Sequence, residues 1–225
     1  MTVIVGHKGA AGYATENTLE SFKLAIEIGC NRAEMDVRLT KDNQVIVFHD
    51  KEVSNLTNGV GFVSEMTLDQ IRQLDYKDGG KIPTLQEVIN VCKNKIDFQI
   101  ELKAEGTPFL VNELILNNDI GKVVFITSFK PYLLEEIKKL NPKLKIGLLF
   151  CTNEVMIDIW NLVNSISLDF LAPFSEMITK DFVDKAHSLN KTVYAYKVNR
   201  KELYDSLVLI GVDEIGTDLP RLFID

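Results

Sequence analysis

Cysteine is scarce in this sequence: Cys30, Cys92 and Cys151 are the only three in 225 residues, odd in number and far apart. That spacing excludes a disulfide framework and a paired thiolate metal site, and all three are expected to be reduced thiols of the core or surface. Long apolar runs are missing too. None approaches the ~20 residues of a transmembrane span, so no membrane crossing is expected. Positive charge is in deficit, with 25 Lys and Arg against 32 Asp and Glu and a net charge of -7. Nucleic acids and anionic membranes reward the opposite balance, so neither is an expected partner. Any phosphate must be met locally, by a metal or a few basic residues. A strand beginning at Thr2 or Val3 leaves nothing for a signal peptide, and a soluble cytoplasmic protein is expected. Linker-like and low-complexity stretches are also lacking, so residues 1–225 read as one domain.

The most informative stretch runs from Glu34 to Asp50. Read as a strand, it turns Ala33, Met35 and Val37 to one side and Glu34 and Asp36 to the other, because side chains alternate with period two. Thr40, Lys41, Asp42 and Asn43 make a polar turn, and Val45 to Phe48 form a second apolar run that delivers His49 and Asp50. An imidazole is thereby returned to a pair of carboxylates.

Strand-like and helix-like segments alternate along the whole chain. Val3 to His7 is followed by the small residues Gly9 to Gly12 and by a helix whose N-cap is expected at Asn17, with Glu20 closing a capping box and Gly29 ending it. Residues 51–82 fit no such repeat and read as a small inserted lobe near the mouth, with a turn at Thr57 to Gly61 and a short helix from Leu68 to Leu74. Leu85 to Cys92 is the next helix. Asp97 to Lys103 repeats the alternation, with Gln99, Glu101 and Lys103 on the polar face. Further strands are expected at 123–127, 144–150, 170–172, 192–198 and 214–216, with helices at 132–140, 155–163, 179–189 and 201–210. Eight such units imply an α/β (β/α)8 TIM barrel whose eighth helix is reduced to a turn. Ligands of such barrels sit at the carboxyl ends of the strands, where His7, Glu34, Asp36, His49, Glu101 and Lys103 all fall.

Glu34, Asp36 and Glu101 offer only oxygen ligands, the set preferred by Ca2+ or Mg2+ over zinc. The same carboxylates could instead neutralise Arg38 or Lys103. His7 and His49 beside a cation fit general acid/base catalysis. The third histidine, His187, belongs to a surface helix. Lys8 and Lys103 could meet a phosphate or balance the carboxylates, and Lys103 or Lys197 could serve as a Schiff-base amine.

In order along the chain, His7-Lys8-Gly9, Glu16-Asn17-Thr18, Glu34-Met35-Asp36-Val37, Thr40-Lys41-Asp42, His49-Asp50, Glu101-Leu102-Lys103, Ser128-Phe129 and Gly211-Val212-Asp213 through Thr217-Asp218-Leu219-Pro220 resemble the motifs of glycerophosphodiester phosphodiesterases. The resemblance implies a barrel with an insertion after strand two and one divalent cation on Glu34, Asp36 and Glu101. It also implies an acid/base pair of His7 and His49, and a substrate or phosphate wall that includes Lys8, Lys103 and Tyr196. The implied reaction is metal-dependent hydrolysis of a small-molecule glycerophosphodiester to glycerol phosphate and an alcohol. In it the glycerol 2-hydroxyl attacks first and water opens a cyclic phosphate. A lysophospholipid head-group hydrolase and a non-catalytic phosphoester-binding barrel are the alternatives. The chain departs from the family's usual arginine at Lys8, its proline at Thr15, its tryptophan-threonine pair at Tyr196-Lys197, and the arginine its lobe often carries near Asn55. These changes all concern the substrate wall.

Overall fold

A computed structural model describes residues 2–224. Eight parallel strands close on themselves: β1 (Val3–Gly6), β2 (Arg32–Leu39), β4 (Asp97–Leu102), β5 (Val124–Ser128), β6 (Lys145–Phe150), β7 (Phe170–Pro173), β8 (Thr192–Ala195) and β9 (Glu214–Thr217). Closure is made by β1, which pairs with β9 through Val3 to Gly6 and with β2 through Val5 and Gly6. The remaining strand, β3 (Val45–Val47), returns antiparallel along the far end of β2. The expected TIM barrel is therefore present. Its helices are α1 (Leu19–Ile28), α3 (Leu85–Cys92), α4 (Thr107–Asn118), α5 (Pro131–Leu140), α6 (Asn153–Ser165), α7 (Lys180–Ser188) and α8 (Lys201–Leu209), with α2 (Leu68–Arg72) in the lobe. After β9 the eighth helix is a single 3-10 turn, Pro220–Leu222.

The alternation along β2 and β4 divides their residues as the period predicts. Ala33, Met35, Val37, Phe98, Ile100 and Leu102 lie in the core between strands and helices, each all but withdrawn from solvent. Each large apolar side chain so buried contributes about 1.5–3 kcal/mol. Gln99 and Glu101 share the inner side of the barrel with Arg32, Glu34 and Asp36. At the bottom the Arg32 guanidinium donates to Glu214 Oε2 at 2.8 Å and Gln99 Oε1 at 3.1 Å, and lies 3.3 Å from the Phe125 ring centre. The bottom layer is thus charge-matched, and the carboxylates above it are left to the mouth.

Three local expectations are corrected. Helix α1 is capped by Thr18, whose hydroxyl accepts from the Ser21 N–H, and not by an Asn17–Glu20 box. Helix α4 was not anticipated in the 104–122 segment. Strand β8 ends at Ala195, beyond which Tyr196 makes only an isolated bridge to Phe174. Between β3 and α3 the chain builds a satellite with its own small core of Ile46, Phe48, Val53, Val63, Ile71 and Leu74, held by bridges at Glu52–Phe62 and Thr57–Tyr76.

Candidate active site

The site begins at the joint between β1 and α1. Lys8 has φ +51 and Gly9 φ +86, so the chain turns sharply after His7. Ser21, on the first turn of α1, stitches this turn down: its hydroxyl donates to the Lys8 carbonyl at 2.8 Å and accepts from the Ala10 N–H at 2.8 Å. The Lys8 N–H is left free to donate to Glu34 Oε2 at 2.8 Å. Gly9 is required here, because an added Cβ would come within 2.5 Å of Ser21 Oγ and 2.7 Å of its carbonyl carbon.

Glu34 and Asp36 project from β2 and Glu101 from β4, where Asp36 and Glu101 are register partners. One oxygen from each lies within 4.8 Å of the others, and all three residues are buried. Lys103 Nζ partly offsets them, at 2.8 Å from Glu101 and 3.3 Å from Asp36. The neutralising alternative thus holds for Lys103, whereas Arg38 gives its Nε to the His49 carbonyl at 2.8 Å. Burial, reinforced by Asp36 and Glu101, pushes the Glu34 carboxyl well above the usual carboxylate range. Burial and Asp36 push Glu101 up to about 7. Asp36 goes the other way: the upward push of burial is overcome by Lys103, Lys8, His49 and a hydrogen bond from Asn17, so it is held low. Burial is the first cause of both upward displacements and the neighbouring carboxylates add to it, so negative charge among the three is incompletely offset. A divalent cation relieves that imbalance, and an all-oxygen donor set suits a hard one, so the residues present fit a metal.

Each histidine is backed by an aspartate. His7 Nδ1 is 2.6 Å from Asp218 Oδ1, and its Nε2 faces the carboxylates, 4.0 Å from Glu34 Oε2. Asp218 is in turn fixed by the Asn199 amide at 2.6 Å and Lys197 Nζ at 3.1 Å, and its carboxyl is held well below the usual range because the upward push of burial is outweighed by His7 first and by Asn199 and Lys197 after it. His49 Nδ1 is 2.7 Å from Asp50 Oδ1, and Asn55 donates to the other Asp50 oxygen at 3.0 Å. Burial lowers the His49 pKa more than Asp36 raises it, so the ring is disposed to be neutral. Each imidazole therefore turns one nitrogen to its aspartate and keeps the other for the cavity.

Lys8, Lys103 and Tyr196 line the same cavity, of about 330 Å³, as the histidines and carboxylates. Lys8 Nζ is bound to Glu16 at 2.8 Å. For both lysines, burial is outweighed by neighbouring carboxylates and the pKa is raised, so Lys103 is held as an ammonium and does not suit a Schiff base. Tyr196 gives its hydroxyl to the Phe150 carbonyl at 3.2 Å and, edge-on to Phe129 and Phe174, forms an aromatic part of the cavity wall, with Lys103 Nζ 6.0 Å from the Phe129 ring centre. His187 lies outside, bound to Asp213 at 2.9 Å. Asp218 and Asn199 carry no role in the sequence reading, and Asn17 only that of a helix cap. Asn17 is buried, donates its amide to Asp36 Oδ2 at 2.9 Å and accepts from the Asp36 N–H at 3.3 Å, which explains why it does not cap α1.

The chain as a whole is similar to known proteins. The model of the "Glycerophosphoryl diester phosphodiesterase family" matches residues 7–222. A relative named glycerophosphodiester phosphodiesterase, from Caldanaerobacter subterraneus subsp. tengcongensis, is 34% identical over 238 residues, covering 100% of this chain and 97% of its own. An Oleispira antarctica phosphodiesterase, solved in complex with the product sn-glycerol-3-phosphate, superposes with a TM-score of 0.91 at 25% identity, over 99% of this chain and 95% of that one. The glycerophosphodiester phosphodiesterase of Thermotoga maritima superposes with a TM-score of 0.87 at 26% identity, over 99% and 97%. Matched along nearly its whole length by the family model and by a full-length relative, the chain belongs to the glycerophosphoryl diester phosphodiesterase family.

Proposed function

We propose that this protein hydrolyses glycerophosphodiesters to glycerol phosphate and an alcohol with His7 and His49 as its proton-transfer pair and a divalent cation, Ca2+ or Mg2+, held by Glu34, Asp36 and Glu101. The activity itself is that of the family to which the chain belongs. The observation that carries the residue assignment is the convergence, in one cavity, of three buried carboxylates and two histidines that are each held by an aspartate.

The cation, when bound, supplies Lewis-acid stabilisation of charge on a phosphoryl oxygen and makes a nearby hydroxyl more acidic. Lys8 and Lys103 stand on the cavity wall as ammonium groups that meet a phosphate as point charges, without the bidentate grip of arginine. Asp218 and Asp50 hold the rings of His7 and His49 so that one imidazole takes the proton of the attacking hydroxyl and the other gives one to the leaving oxygen. The glycerol 2-hydroxyl sits on the carbon next to the ester, so its attack is intramolecular and forms a cyclic phosphate that water opens. The aromatic face of Phe129, Phe174 and Tyr196 receives the hydrocarbon side of the substrate. The exposed thiol of Cys151, with Cys30 and Cys92 free in the core, favours a reducing, cytoplasmic setting. Among the described residues no helix is long and apolar enough to cross a membrane.

The test is a product-release assay over glycerophosphocholine, glycerophosphoethanolamine, glycerophosphoglycerol and a lysophospholipid, with and without chelator. Release of glycerol phosphate from the small diesters, abolished by chelation and restored by Ca2+ or Mg2+, is the expected result. Preference for the lysophospholipid would move the substrate assignment, binding without release would make this a silent phosphoester-binding barrel, and undiminished release in excess chelator would remove the metal.

A further inference from the structure

In a chain with a net charge of -7, a place where positive charge collects without partners stands out. One such place adjoins the catalytic cavity: a pocket of about 240 Å³ between β2, the inserted lobe and the loop that follows β4. Four cations line it, Arg38, Lys51, Lys103 and Lys130, against one carboxylate, Glu105. Lys103 also lines the catalytic cavity, so the two spaces share a wall, but its ammonium is already committed to Glu101 and Asp36. The other three cations are not so committed. Arg38 is only 9% exposed and gives its Nε to the His49 carbonyl, and among the described residues its two terminal nitrogens have no acceptor. Asp36, Asp50 and Glu101 act on this guanidinium without forming an ion pair with it. Lys130 Nζ has the Lys103 carbonyl at 3.3 Å and the Tyr132 ring centre at 5.9 Å, and no carboxylate. The Lys51 ammonium, among the described residues, has no partner at all. Cations gathered on one wall repel one another, and a buried guanidinium with unmet donors is costly; an anion relieves both.

We propose that this pocket is a second anion site, separate from the catalytic cavity, and that the anion it fits is a phosphomonoester dianion. Charge selects the class. Arg38, Lys51 and Lys130, less Glu105, leave two positive charges unmatched on the wall, which a dianion balances and a monoanion leaves half unmet. At about pH 8 a phosphomonoester carries two negative charges, because its second pKa is near 6, whereas a phosphodiester carries one. The donor types agree: terminal guanidinium nitrogens can take two phosphoryl oxygens at once, and the lysines add point charges. Size agrees as well, since the pocket is smaller than the roughly 300–1,000 Å³ that encloses larger ligands and so suits a small charged head. The inference goes beyond the diesterase reading, adding a site for the charge class of that reaction's product, and it does not depend on turnover.

The experiment is calorimetric titration of the Mg2+-loaded protein with methyl phosphate, and with dimethyl phosphate as its diester counterpart. Two binding events are expected in the parent protein, one in each space. The double variant Lys51→Ser/Lys130→Ser should weaken one of them at least roughly tenfold, through the loss of two charge-assisted contacts, and leave the other unchanged. Lys8→Ala should do the reverse. Dimethyl phosphate should bind the second site at least roughly tenfold more weakly than methyl phosphate, because it carries one charge fewer. Inorganic phosphate and glycerol phosphate share the dianionic head: tighter binding of the glycerol ester would assign the site to the reaction product, and equal binding to the phosphoryl head alone, both within the proposal. The melting temperature of the double variant, and its kcat/KM for a small diester, should be those of the parent. A single binding event in the parent, a double variant that binds as the parent does, or equal binding of the monoester and the diester would each overturn the proposal. So would a kcat/KM that falls together with binding, which would place Lys51 and Lys130 on the catalytic wall. Binding is read without turnover, so a protein that released no product would lose the diesterase reading and leave this test standing.

Discussion

At the residue scale the site is a set of paired functions, and the pairs differ in how far apart their members lie in the chain. Asp50 follows His49 directly, so that pair was visible in the sequence. Asp218 lies 211 residues from His7, and only the pairing of β9 with β1 at barrel closure brings them to 2.6 Å. No local pattern could have shown it. If Asp218 positions His7, Asp218→Asn should lower kcat at least roughly tenfold with KM nearly kept and an altered pH profile, because the ring loses its fixed tautomer while the phosphate contacts remain. A variant with unchanged kcat would make Asp218 a structural residue only. His7→Ala and His49→Ala should each lower kcat by roughly a hundredfold or more, and the double variant by much less than the product. His187→Ala, whose ring is half-exposed and bound to Asp213, should change little. Near-normal kcat in either active-site variant would remove that histidine from the mechanism.

At the element scale, what was legible depended on whether a segment carried its own start and stop. The sequence reading placed α3 at Leu85 to Cys92, where the structure has it, and there Thr84 and Glu87 form a complete capping box. The same reading erred by one residue at α1, where Asn17 and Thr18 are both good caps and only the tertiary contact of Asn17 with Asp36 decides between them. Helix α4 was invisible for two reasons. Its N-cap is Gly106, with no side-chain bond, and apolar residues occur around its whole circumference, with Phe109 and Leu116 exposed, so no amphipathic stripe marks it. The β1–α1 joint carries a prediction at this scale. Gly9→Ala forces a Cβ into Ser21 in a left-handed backbone that itself costs roughly 1–3 kcal/mol, so thermal unfolding should come at least several degrees lower, with activity reduced as His7 and Lys8 lose their placement. An unchanged melting temperature would mean that Ser21 and the turn relax freely and do not fix the site.

At the scale of the whole molecule, counting strand-helix units sufficed to predict closure, and the period-two alternation predicted which faces of β2 and β4 look inward. Register was not readable, and register is what sets Asp36 beside Glu101 and makes their charges interact. That interaction links the site to global stability, and the sign follows from the shifts. A carboxyl raised in the folded state, such as Glu101 at about 7 and Glu34 above the usual range, binds its proton more tightly folded than unfolded. Its contribution is complete below the unfolded value of about 4.5 and is lost as pH rises through the folded one, so these two groups make the metal-free protein less stable between roughly pH 5 and 8. Asp36 is lowered and adds no titration in that window. A divalent cation stabilises the ionised forms and also binds the folded state alone, so it reverses the loss. The melting temperature with Ca2+ or Mg2+ should therefore exceed that in chelator, and the gap should widen from pH 5.5 to pH 8, at roughly 2–4 °C per kcal/mol for a domain of this size. The gap should shrink in Glu34→Gln, which removes a charged ligand and part of the repulsion together. A gap that is absent, or that narrows as pH rises, would show that Lys8 and Lys103 already neutralise the cluster and that the three carboxylates do not form a cation site.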